Sequence, residues 1–525
     1  MESACLRHTD IPHTSKLFAD FQYHFDRVTK YYAHWPGDPE SYAAAARQID
    51  YPDDRRQALV AALRARNGDS PSLDLLAKPG TVAVVTGQQV GLFSGPAYTV
   101  YKALTAAKLA AQLTEQGLPA VPIFWLATED HDLAEVNHTF LFGAKQSPVK
   151  LVADGTGGSQ QPVGTIPLGH SPVHQLREIL ETLPFGSEVA DLVAQTYTSD
   201  ATFGAAFEGL VRKMLAKWGL LFLDPLDHAI RMVAAPFLRQ AILRAPELKQ
   251  RILERNRELE ADGYHAQVHV EAQTSLFFVL EGERRMTLRR QDGDYATKDR
   301  HYTVDELAER SEHLSPNALL RPVVQDYILP TVAYIGGPAE LAYLAQSEVV
   351  YRELLGRMPV VLARSGFTLL DARANKLMDR YELGLPCFFH GEDCLREKIS
   401  KKLVPPALTQ EFAEVEKTTA AALEHLRAGL TDFDPTLAAS LDKSRAKILY
   451  QLSKAQRKTA RETLKRDQRA TGEAAYLSGL IFPDQHLQER YYSILPFLAR
   501  HGFGLLDTLY EAVQLDCPDH KILVV

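Results

Sequence analysis

A glycine-rich segment at positions 86–96 has the residue types of an anion-binding site. Its sequence is Thr-Gly-Gln-Gln-Val-Gly-Leu-Phe-Ser-Gly-Pro. Glycines let a ligand approach the backbone, and a helix that starts there presents free N–H groups to an anion. A plain strand-to-helix turn explains the glycines but has no need of the adjacent amides Gln88 and Gln89. The segment contains neither a P-loop nor a G-x-G-x-x-G motif. We therefore expect a phosphate or carboxylate site that includes Gly87, Gln88, Gln89, Gly91 and Gly95.

A second segment, at positions 128–132, places three carboxylates and an imidazole side by side. Such crowding moves pKa values apart, which suits general acid–base catalysis. Asp132 and Glu135 have the spacing of a helix-capping box, but capping does not explain the other three ionisable residues. The expected catalytic residues are Glu129, Asp130, His131 and Asp132, with Asn137 and His138 as substrate-binding residues beside them.

The same segment offers an alternative based on a metal ion. His131, Glu135 and His138 are spaced i, i+4, i+7 and would share a face if the segment were helical. The spacing is not His-Glu-x-x-His, so the sequence does not call for a metal. A metal-dependent hydrolase is therefore the minor alternative.

A third segment, at positions 314–343, combines an arginine with a glycine pair before a helix. Asn317 and Arg321 are spaced i, i+4, so both side chains can face one ligand. Arginine is the side chain best shaped for a carboxylate or phosphate. Gly336-Gly337-Pro338 opens a helix, in whose first turn Glu340 could serve only to compensate the helix dipole. The expected anion- or substrate-binding residues here are Asn317, Arg321, Gly336, Gly337, Glu340 and Tyr343.

The pattern of apolar residues predicts the elements that carry these segments. A β-branched run at 81–86 predicts a buried strand, 98–116 a helix that stops at Gly117, and 121–127 a second strand. A strand–helix–strand unit of this length favours parallel strands, and hence an α/β fold. Further strands are expected at 219–224, 275–280 and 359–364, helices at 203–218 and 230–263, and insertions at 143–175 and 264–305.

Beyond residue 395 the pattern becomes helical, with expected helices at 407–430 and 436–478. Apolar residues alternate at three- and four-residue spacing from Leu437 to Thr459, which predicts a helical hairpin or coiled coil. Residues 440–470 contain ten basic and three acidic side chains. A solvated helix face is the favoured interpretation, and a docking surface for an anionic partner is the alternative.

Composition excludes several classes of protein. The 525 residues include 46% hydrophobic and 24% charged residues, which is ordinary for a globular chain of two to four domains. A net charge of −8 disfavours a general nucleic-acid binder. Four scattered cysteines, no signal-peptide pattern and no long apolar run predict a cytoplasmic protein without a disulfide framework or membrane span.

These segments together resemble a known family. The glycine-rich block, the block from Phe124 to His138, the block from Leu314 to Tyr343 and Phe482-Pro-Asp-Gln-His-Leu-Gln-Glu-Arg490 occur in the order found in the BshC family, the cysteine ligases of bacillithiol biosynthesis. The resemblance spans nearly the whole chain. It implies a Rossmann-like core with connective insertions and a C-terminal coiled coil that mediates dimerisation. The expected divisions are an N-terminal helical segment (1–80), the core (81–394), the coiled coil (395–480) and a segment returning to the core (481–525).

The resemblance also implies a reaction, the addition of L-cysteine to the amine of glucosaminyl-malate. A carboxylate is a poor electrophile, so ATP or another adenine nucleotide is the expected activating substrate. The glycine-rich segment would then hold its phosphate, Asp130, His131 or Asp132 would bind or deprotonate an amine, and Asn317 and Arg321 would hold a malyl carboxylate. A non-catalytic, dimeric nucleotide-binding module is the alternative from another functional class.

Overall fold

The computed structural model describes residues 3–143, 146–271 and 273–525 and divides into two compact units. The larger unit comprises Ser3–Thr368 and Glu489–Leu523. The smaller unit comprises Leu369–Gln488 and Val524–Val525. The domain limits expected from the sequence, at 80, 394 and 480, stay predictions.

The strands of the described residues are numbered in chain order. They are β1 (Ser3–Leu6), β2 (Val82–Gln89), β3 (Ala120–Ala127), β4 (His138–Phe142), β5 (Pro148–Val152), β6 (Leu221–Leu223), β7 (Thr274–Glu281), β8 (Arg284–Gln291), β9 (Asp294–Ala296), β10 (His301–Tyr302), β11 (Leu314–Pro316), β12 (Thr331–Gly336), β13 (Val360–Ala363), β14 (Phe367–Leu370) and β15 (His520–Val524).

The α-helices are numbered in the same way. They are α1 (Lys16–Tyr23), α2 (Pro39–Arg47), α3 (Asp53–Asn67), α4 (Pro71–Leu76), α5 (Tyr98–Glu115), α6 (Leu133–Val136), α7 (Val173–Leu180), α8 (Gly186–Ala194), α9 (Phe203–Met214), α10 (His228–Leu243), α11 (Ala245–Ala261), α12 (Val304–Glu309), α13 (Arg321–Ile328), α14 (Pro338–Leu354), α15 (Ala372–Tyr381), α16 (Pro386–Phe389), α17 (Glu392–Leu403), α18 (Pro406–Phe433), α19 (Pro435–Arg466), α20 (Gln468–Ile481), α21 (Gln488–Tyr491), α22 (Leu495–His501) and α23 (Gly504–Ala512).

A five-stranded parallel sheet forms the centre of the larger unit. Its strand order is β13-β12-β2-β3-β6, so the chain starts in the middle, builds outward through β3 and β6, and returns to the other side of β2. Both faces are covered by helices, which is why β2 and β3 are nearly continuous runs of buried apolar residues. This is the doubly wound order of Rossmann-like sheets. The expected α/β class with a parallel core is confirmed.

Two differences from the expected elements bear on the site. The strand expected at 81–86 continues to Gln89, so the two amides lie at a strand end and not in a turn. The structure also contains β12 between β2 and β13, a strand that the sequence prediction omits. Because β2 lies between β3 and β12, the segments that follow these two strands flank its carboxyl end.

A second, antiparallel sheet lies in the same unit. Its order is β10-β9-β8-β7-β11, and it contains most of the insertion expected at 264–305. The strand expected at 275–280 belongs to this sheet and not to the parallel one. The single helix expected at 230–263 is two helices, α10 and α11, which meet at Arg244 before Pro246.

The smaller unit is helical. Helices α18 and α19 form a hairpin because only Asp434 separates them, and its side chain caps the start of α19. The ion pairs Arg427–Asp442 and Arg445–Glu424 join the two helices. The helix expected at 436–478 is interrupted at Asp467, where α20 begins. Among the residues that the structure describes, none of the helices combines the length and apolar character needed to span a bilayer.

Candidate active site

A cavity of about 560 Å³ lies at the carboxyl edge of the parallel sheet, within the larger unit. It is bordered by the ends of β2 and β3 and by the start of α14, which follows β12. This is where an open α/β sheet reverses its strand order and where ligands of such folds bind. The cavity is within the size range of small-molecule sites.

Most of the residues expected at the site line this cavity. They are Gly87, Gln88, Gln89, Glu129, Asp130, His131, Asn317, Arg321, Gly337, Glu340 and Tyr343. The two segments that the sequence prediction brings together meet directly, because β2 and β3 are neighbours in register, with Gln89 opposite Ala127. The Gln89 amide nitrogen donates to Asp130 Oδ2 at 2.6 Å and to Glu135 Oε2 at 2.7 Å.

Glu129, Asp130 and His131 form what we call the acidic side of the cavity. Asp130 accepts hydrogen bonds from the His131 backbone N–H at 2.7 Å and from Gln89, which fixes the carboxylate at the strand end. Arg285 Nη1 lies 3.3 Å from His131 Nδ1. A guanidinium only donates, so Nδ1 is the acceptor and the imidazole proton is on Nε2. In this contact Nε2 is the ring nitrogen of His131 that can donate a hydrogen bond.

Glu129 is a buried carboxylate beside two arginines. Arg231 lies 3.4 Å from Glu129 Oε1. Arg285 is held by Ser315 Oγ and the Pro316 carbonyl, both at 2.9 Å. Burial raises the pKa of Glu129, and the charges of Arg285 and Arg231 offset only part of this effect. Burial therefore favours the protonated form of Glu129 relative to a carboxyl in water.

Lys102, Arg364 and Arg490, with the first residues of α14, form what we call the cationic side. Lys102 is almost fully buried and donates to the Gly87 carbonyl at 2.7 Å and to Gln88 Oε1 at 3.1 Å. Its ammonium also lies 2.5 Å from Glu340 Oε2. Burial lowers the pKa of Lys102, and contact with Glu340 opposes that change. Lys102 therefore links the end of β2 to the start of α14 through these hydrogen bonds and this ion pair.

Glu340 has a larger role than compensating the helix dipole. It accepts hydrogen bonds from the Gly337 N–H at 2.8 Å and from the Tyr334 hydroxyl at 2.6 Å, besides its contact with Lys102. Burial alone would raise the pKa of Glu340, but these three partners bring it below its ordinary value. Glu340 is therefore an ionised, fully partnered support of the cavity wall.

Arg321 lies at the cavity in a half-buried position. It donates to Gln325 Oε1 at 3.1 Å and to the Tyr343 hydroxyl at 3.0 Å. Asn317 accepts from the backbone N–H groups of Leu319 and Leu320 and so caps the chain that enters α13. Both residues line the cavity, but part of their hydrogen-bonding capacity is used within the protein.

Six expected site residues lie outside the lining of the cavity. They are Gly91, Gly95, Asp132, Asn137, His138 and Gly336. Asp132 caps α6 by accepting from the Ala134 N–H, as the capping interpretation predicts. Asn137 and His138 bond to each other at the start of β4. Gly336 pairs with Ala363 inside the sheet.

The glycine-rich segment does not form the expected anion cradle around the start of α5. Gly91 and Gly95 pack against each other, since a Cβ on Gly91 would lie 3.0 Å from Gly95 Cα. At the helix start, Ala97 N–H donates to the Tyr492 carbonyl and Thr99 N–H to the Pro96 carbonyl. These groups are committed within the chain, so the anion-facing helix start of this cavity is that of α14.

The geometry required for the metal alternative is also absent. Helix α6 covers only Leu133–Val136, so His131 precedes it and His138 follows it in β4. The three residues therefore do not share a helix face. Within residues 3–143, 146–271 and 273–525, no group of three His, Cys, Asp or Glu side chains could hold a metal ion.

Several lining residues were not expected from the sequence. They are Tyr98, Lys102, Trp125, Phe278, Arg285, Tyr334, Arg364 and Arg490. Lys102 could have been found, because it is the one lysine on the otherwise apolar face of the helix that follows the glycine-rich segment. Arg285 lies 154 residues from His131 in the chain, and no local pattern marks it.

Comparison with known proteins agrees with this architecture. A model of the N-terminal Rossmann-like domain of the bacillithiol biosynthesis protein BshC matches residues 1–365, and a model of its C-terminal coiled-coil domain matches residues 367–525. The chain belongs to the BshC family. The expected family, Rossmann-like core and C-terminal coiled coil are therefore confirmed.

Similar proteins cover the whole length of the chain. A relative from Solibacter usitatus, named "Putative cysteine ligase BshC", is 53% identical and covers 100% of both chains. Relatives of the same name are 36% identical in Koribacter versatilis, over 99% of each chain, and 30% identical in Salinibacter ruber, over 97% of this chain and 96% of the relative. The family thus places this chain in bacillithiol biosynthesis.

Proposed function

We propose that this protein is a ligase that joins the carboxyl group of L-cysteine to the amine of glucosaminyl-malate. The name of its relatives supports a cysteine ligase. The observation that carries the proposal is the cavity itself, in which carboxylates follow β3 and cationic groups surround the start of α14. An amine and an anion can bind there side by side, as amide formation between these substrates requires.

The acidic side is suited to the amine. An ammonium must lose one proton before its nitrogen can attack a carboxyl carbon, and a second proton leaves as the C–N bond forms and the bond to the leaving oxygen breaks. Asp130 is the base of this proposal, because its carboxylate is ionisable, partly exposed to the cavity and oriented by Gln89 and by the His131 N–H. His131 Nε2–H would donate to a substrate oxygen.

The cationic side is suited to the activating substrate or to the malyl group. ATP would supply the activation that a carboxylate needs before it can react with an amine. The start of α14 lines the cavity together with the side chains of Lys102, Arg364 and Arg490, and helix starts and basic side chains are groups that phosphates and carboxylates prefer. This arrangement replaces the predicted cradle at the glycine-rich segment.

The proposal includes a homodimer in the cytoplasm. Leu426, Phe433, Leu437 and Ile448 of the hairpin formed by α18 and α19 are exposed apolar side chains, which supports pairing of two copies. The four cysteines are free thiols, as is usual in a reducing compartment. Light scattering of the purified chain would measure the mass, and a monomer would contradict this part.

The decisive experiment compares two neighbouring aspartates. Asp130→Asn keeps the shape of the side chain but removes the base, so we expect product formation from cysteine, glucosaminyl-malate and ATP to fall by about 10²- to 10⁴-fold. Asp132→Asn is the matched control, because Asp132 lies outside the cavity lining and asparagine also caps helices. Mass spectrometry would follow the thiol product and distinguish AMP from ADP.

Two results would oppose the proposal. Equal rates for Asp130→Asn and wild type would remove Asp130 from the mechanism. Nucleotide binding by the wild-type chain without any turnover of the two substrates would favour the non-catalytic nucleotide-binding module instead.

A further inference from the structure

The fourth block of the family resemblance, at positions 482–490, has no role in the mechanism above. Its last two residues, Glu489 and Arg490, lie in the larger unit. Glu489 is buried, and both of its carboxylate oxygens accept from Arg364, at 2.9 and 2.6 Å. Glu489 also accepts from the Phe367 N–H at 2.9 Å. The neighbouring residue, Arg490, is exposed and lines the cavity.

Arg490 differs from the other cations of the cavity in its partners. Lys102 contacts the carboxylate of Glu340, and Arg364 is neutralised by Glu489. Arg285 and Arg321 donate to oxygens of the protein. For Arg490, the described part of the chain provides no hydrogen bond and no ion pair. Its guanidinium carbon lies 5.8 Å from the Tyr98 ring centroid, and that of Arg364 lies 5.1 Å from the same ring.

Among the described residues, the Arg490 guanidinium therefore lines the cavity with N–H groups that have no acceptor in the protein. The Tyr98 ring restricts the position of the Arg490 guanidinium without using its N–H groups. A planar guanidinium with free donors is shaped for two parallel hydrogen bonds to a carboxylate or phosphate. Arg364 lies against the same ring but is committed to Glu489, so the free donors belong to Arg490.

We propose that Arg490 is a specificity-determining residue that binds an anionic oxygen pair of the ligand in this cavity. The inference rests on the proposed function, which provides two candidate sources of that anion. These are the malyl carboxylates of the sugar substrate and the phosphates of the nucleotide. In either case Arg490 discriminates the anionic ligand from an analogue that lacks the anionic group.

The experiment measures binding and does not require turnover. Calorimetric titration of the full-length protein would use glucosaminyl-malate, methyl glucosaminide and ADP as separate ligands. We expect Arg490→Ala to weaken either glucosaminyl-malate or ADP by about 10- to 100-fold, since a hydrogen-bonded charge is lost. Methyl glucosaminide, which lacks the malyl group, would bind Arg490→Ala and wild type equally. The affinity of Arg490→Lys for the anionic ligand would lie between the affinities of Arg490→Ala and wild type, because lysine keeps the charge but lacks the planar pair of donors.

Arg239→Ala provides the matched control. Arg239 is an exposed arginine of α10 that does not line the cavity, so its removal changes net charge equally without changing the site. Loss of affinity for glucosaminyl-malate assigns the carboxylate as the anion, and loss for ADP assigns the phosphate. Unchanged affinity for both ligands would overturn the inference, as would an equal loss for methyl glucosaminide or in Arg239→Ala. A wild-type protein that binds both anions but forms no product would refute the ligase proposal alone.

Discussion

Glu129 is a buried carboxylate and Glu340 a half-buried one at the same cavity, and their pKa values move in opposite directions. Burial opposes the charge of both. Glu340 receives three direct contacts, from Lys102, the Tyr334 hydroxyl and the Gly337 N–H, and its pKa falls. Glu129 has arginines near it, the nearer described contact being 3.4 Å from Arg231, and its pKa rises. The difference shows that a counter-charge in direct contact, together with hydrogen-bond donors, outweighs the effect of burial at Glu340, whereas the arginines near Glu129 do not.

The largest expected effect comes from removing the lysine that supports Glu340. Lys102→Met keeps the length and apolar stem of the side chain but leaves a carboxylate without its counter-charge. Breaking a buried ion pair in this way should reduce the free energy of unfolding by about 3–5 kcal/mol. Urea unfolding followed by circular dichroism would measure the change.

Lys108→Met is the control for this substitution, because Lys108 lies on the same helix and pairs with the exposed Glu511 at 3.3 Å. A surface pair contributes about 0–1 kcal/mol. If the two variants lost equal stability, the contacts of Lys102 with β2 and α14 would contribute no more to the free energy of unfolding than a surface ion pair.

A smaller effect on stability should distinguish the start of α5, which does not face the cavity, from the start of α14, which does. Gly95, before α5, has a φ of +64°, so Gly95→Ala should cost about 1–2 kcal/mol of stability through backbone strain. Gly337, before α14, has a φ of −90°, and an added Cβ would lie 3.5 Å from Glu340 Oε2. Gly337→Ala should therefore change stability by less than about 0.5 kcal/mol.

Ligand affinity should be reduced more by Gly337→Ala than by Gly95→Ala, which is the reverse of their effects on stability. The methyl group of Gly337→Ala narrows the cavity wall, and we expect anion affinity to fall by about fivefold, whereas Gly95→Ala should bind normally once folded. Thermal unfolding and calorimetric titration of both variants would provide the four values. Normal binding by Gly337→Ala would show that ligands do not approach the start of α14.

The smallest effect is a difference in pH dependence between the two carboxylates. The pKa of Glu340 is lowered on folding, so its stabilising contribution is present above the ordinary carboxyl pKa and is lost as the pH falls below it. The pKa of Glu129 is raised, so its ionisation at neutral pH opposes folding, and this cost disappears as the pH falls through the raised value towards the ordinary one.

Substitution by glutamine isolates each contribution. The loss of unfolding free energy in Glu340→Gln should be greater at pH 7 than at pH 4. For Glu129→Gln, the free energy of unfolding relative to wild type should instead be highest at pH 7. Urea unfolding at several pH values would measure both differences. Slopes of the same sign for the two variants would contradict the opposite pKa shifts.

Local sequence pattern was sufficient for the elements around β2. The β-branched run before Gly87, the helix ending near Gly117 and the apolar run before Thr128 predict β2, α5 and β3 because each satisfies a local rule. The convergence of Gln89 and Asp130 follows, since neighbouring parallel strands end at the same edge. β12 was missed because its short apolar run has no periodicity that distinguishes a buried strand from a helix.

The rest of the site depends on contacts that are distant in the chain. Arg364 and Glu489 are 125 residues apart, and neither lies in a local motif that indicates an ion pair. Asp132 is the opposite case, because the sequence does show its local capping role. The sequence does not show whether the side chain caps α6 or takes part in catalysis, since that depends on where it points. Residue types and spacing therefore identified the acidic side and the start of α14, while Arg364 and Arg490 required the fold.

The pairing of Arg364 with Glu489 has a consequence for how the gene can be divided. The Rossmann-like family domain ends at residue 365 and carries the guanidinium, but the carboxylate that neutralises it is encoded more than a hundred codons later. A fragment cut at that boundary would bury a cation with no counter-ion and would lack Arg490. A protein that ends at residue 365 would therefore need the C-terminal segment to restore this ion pair.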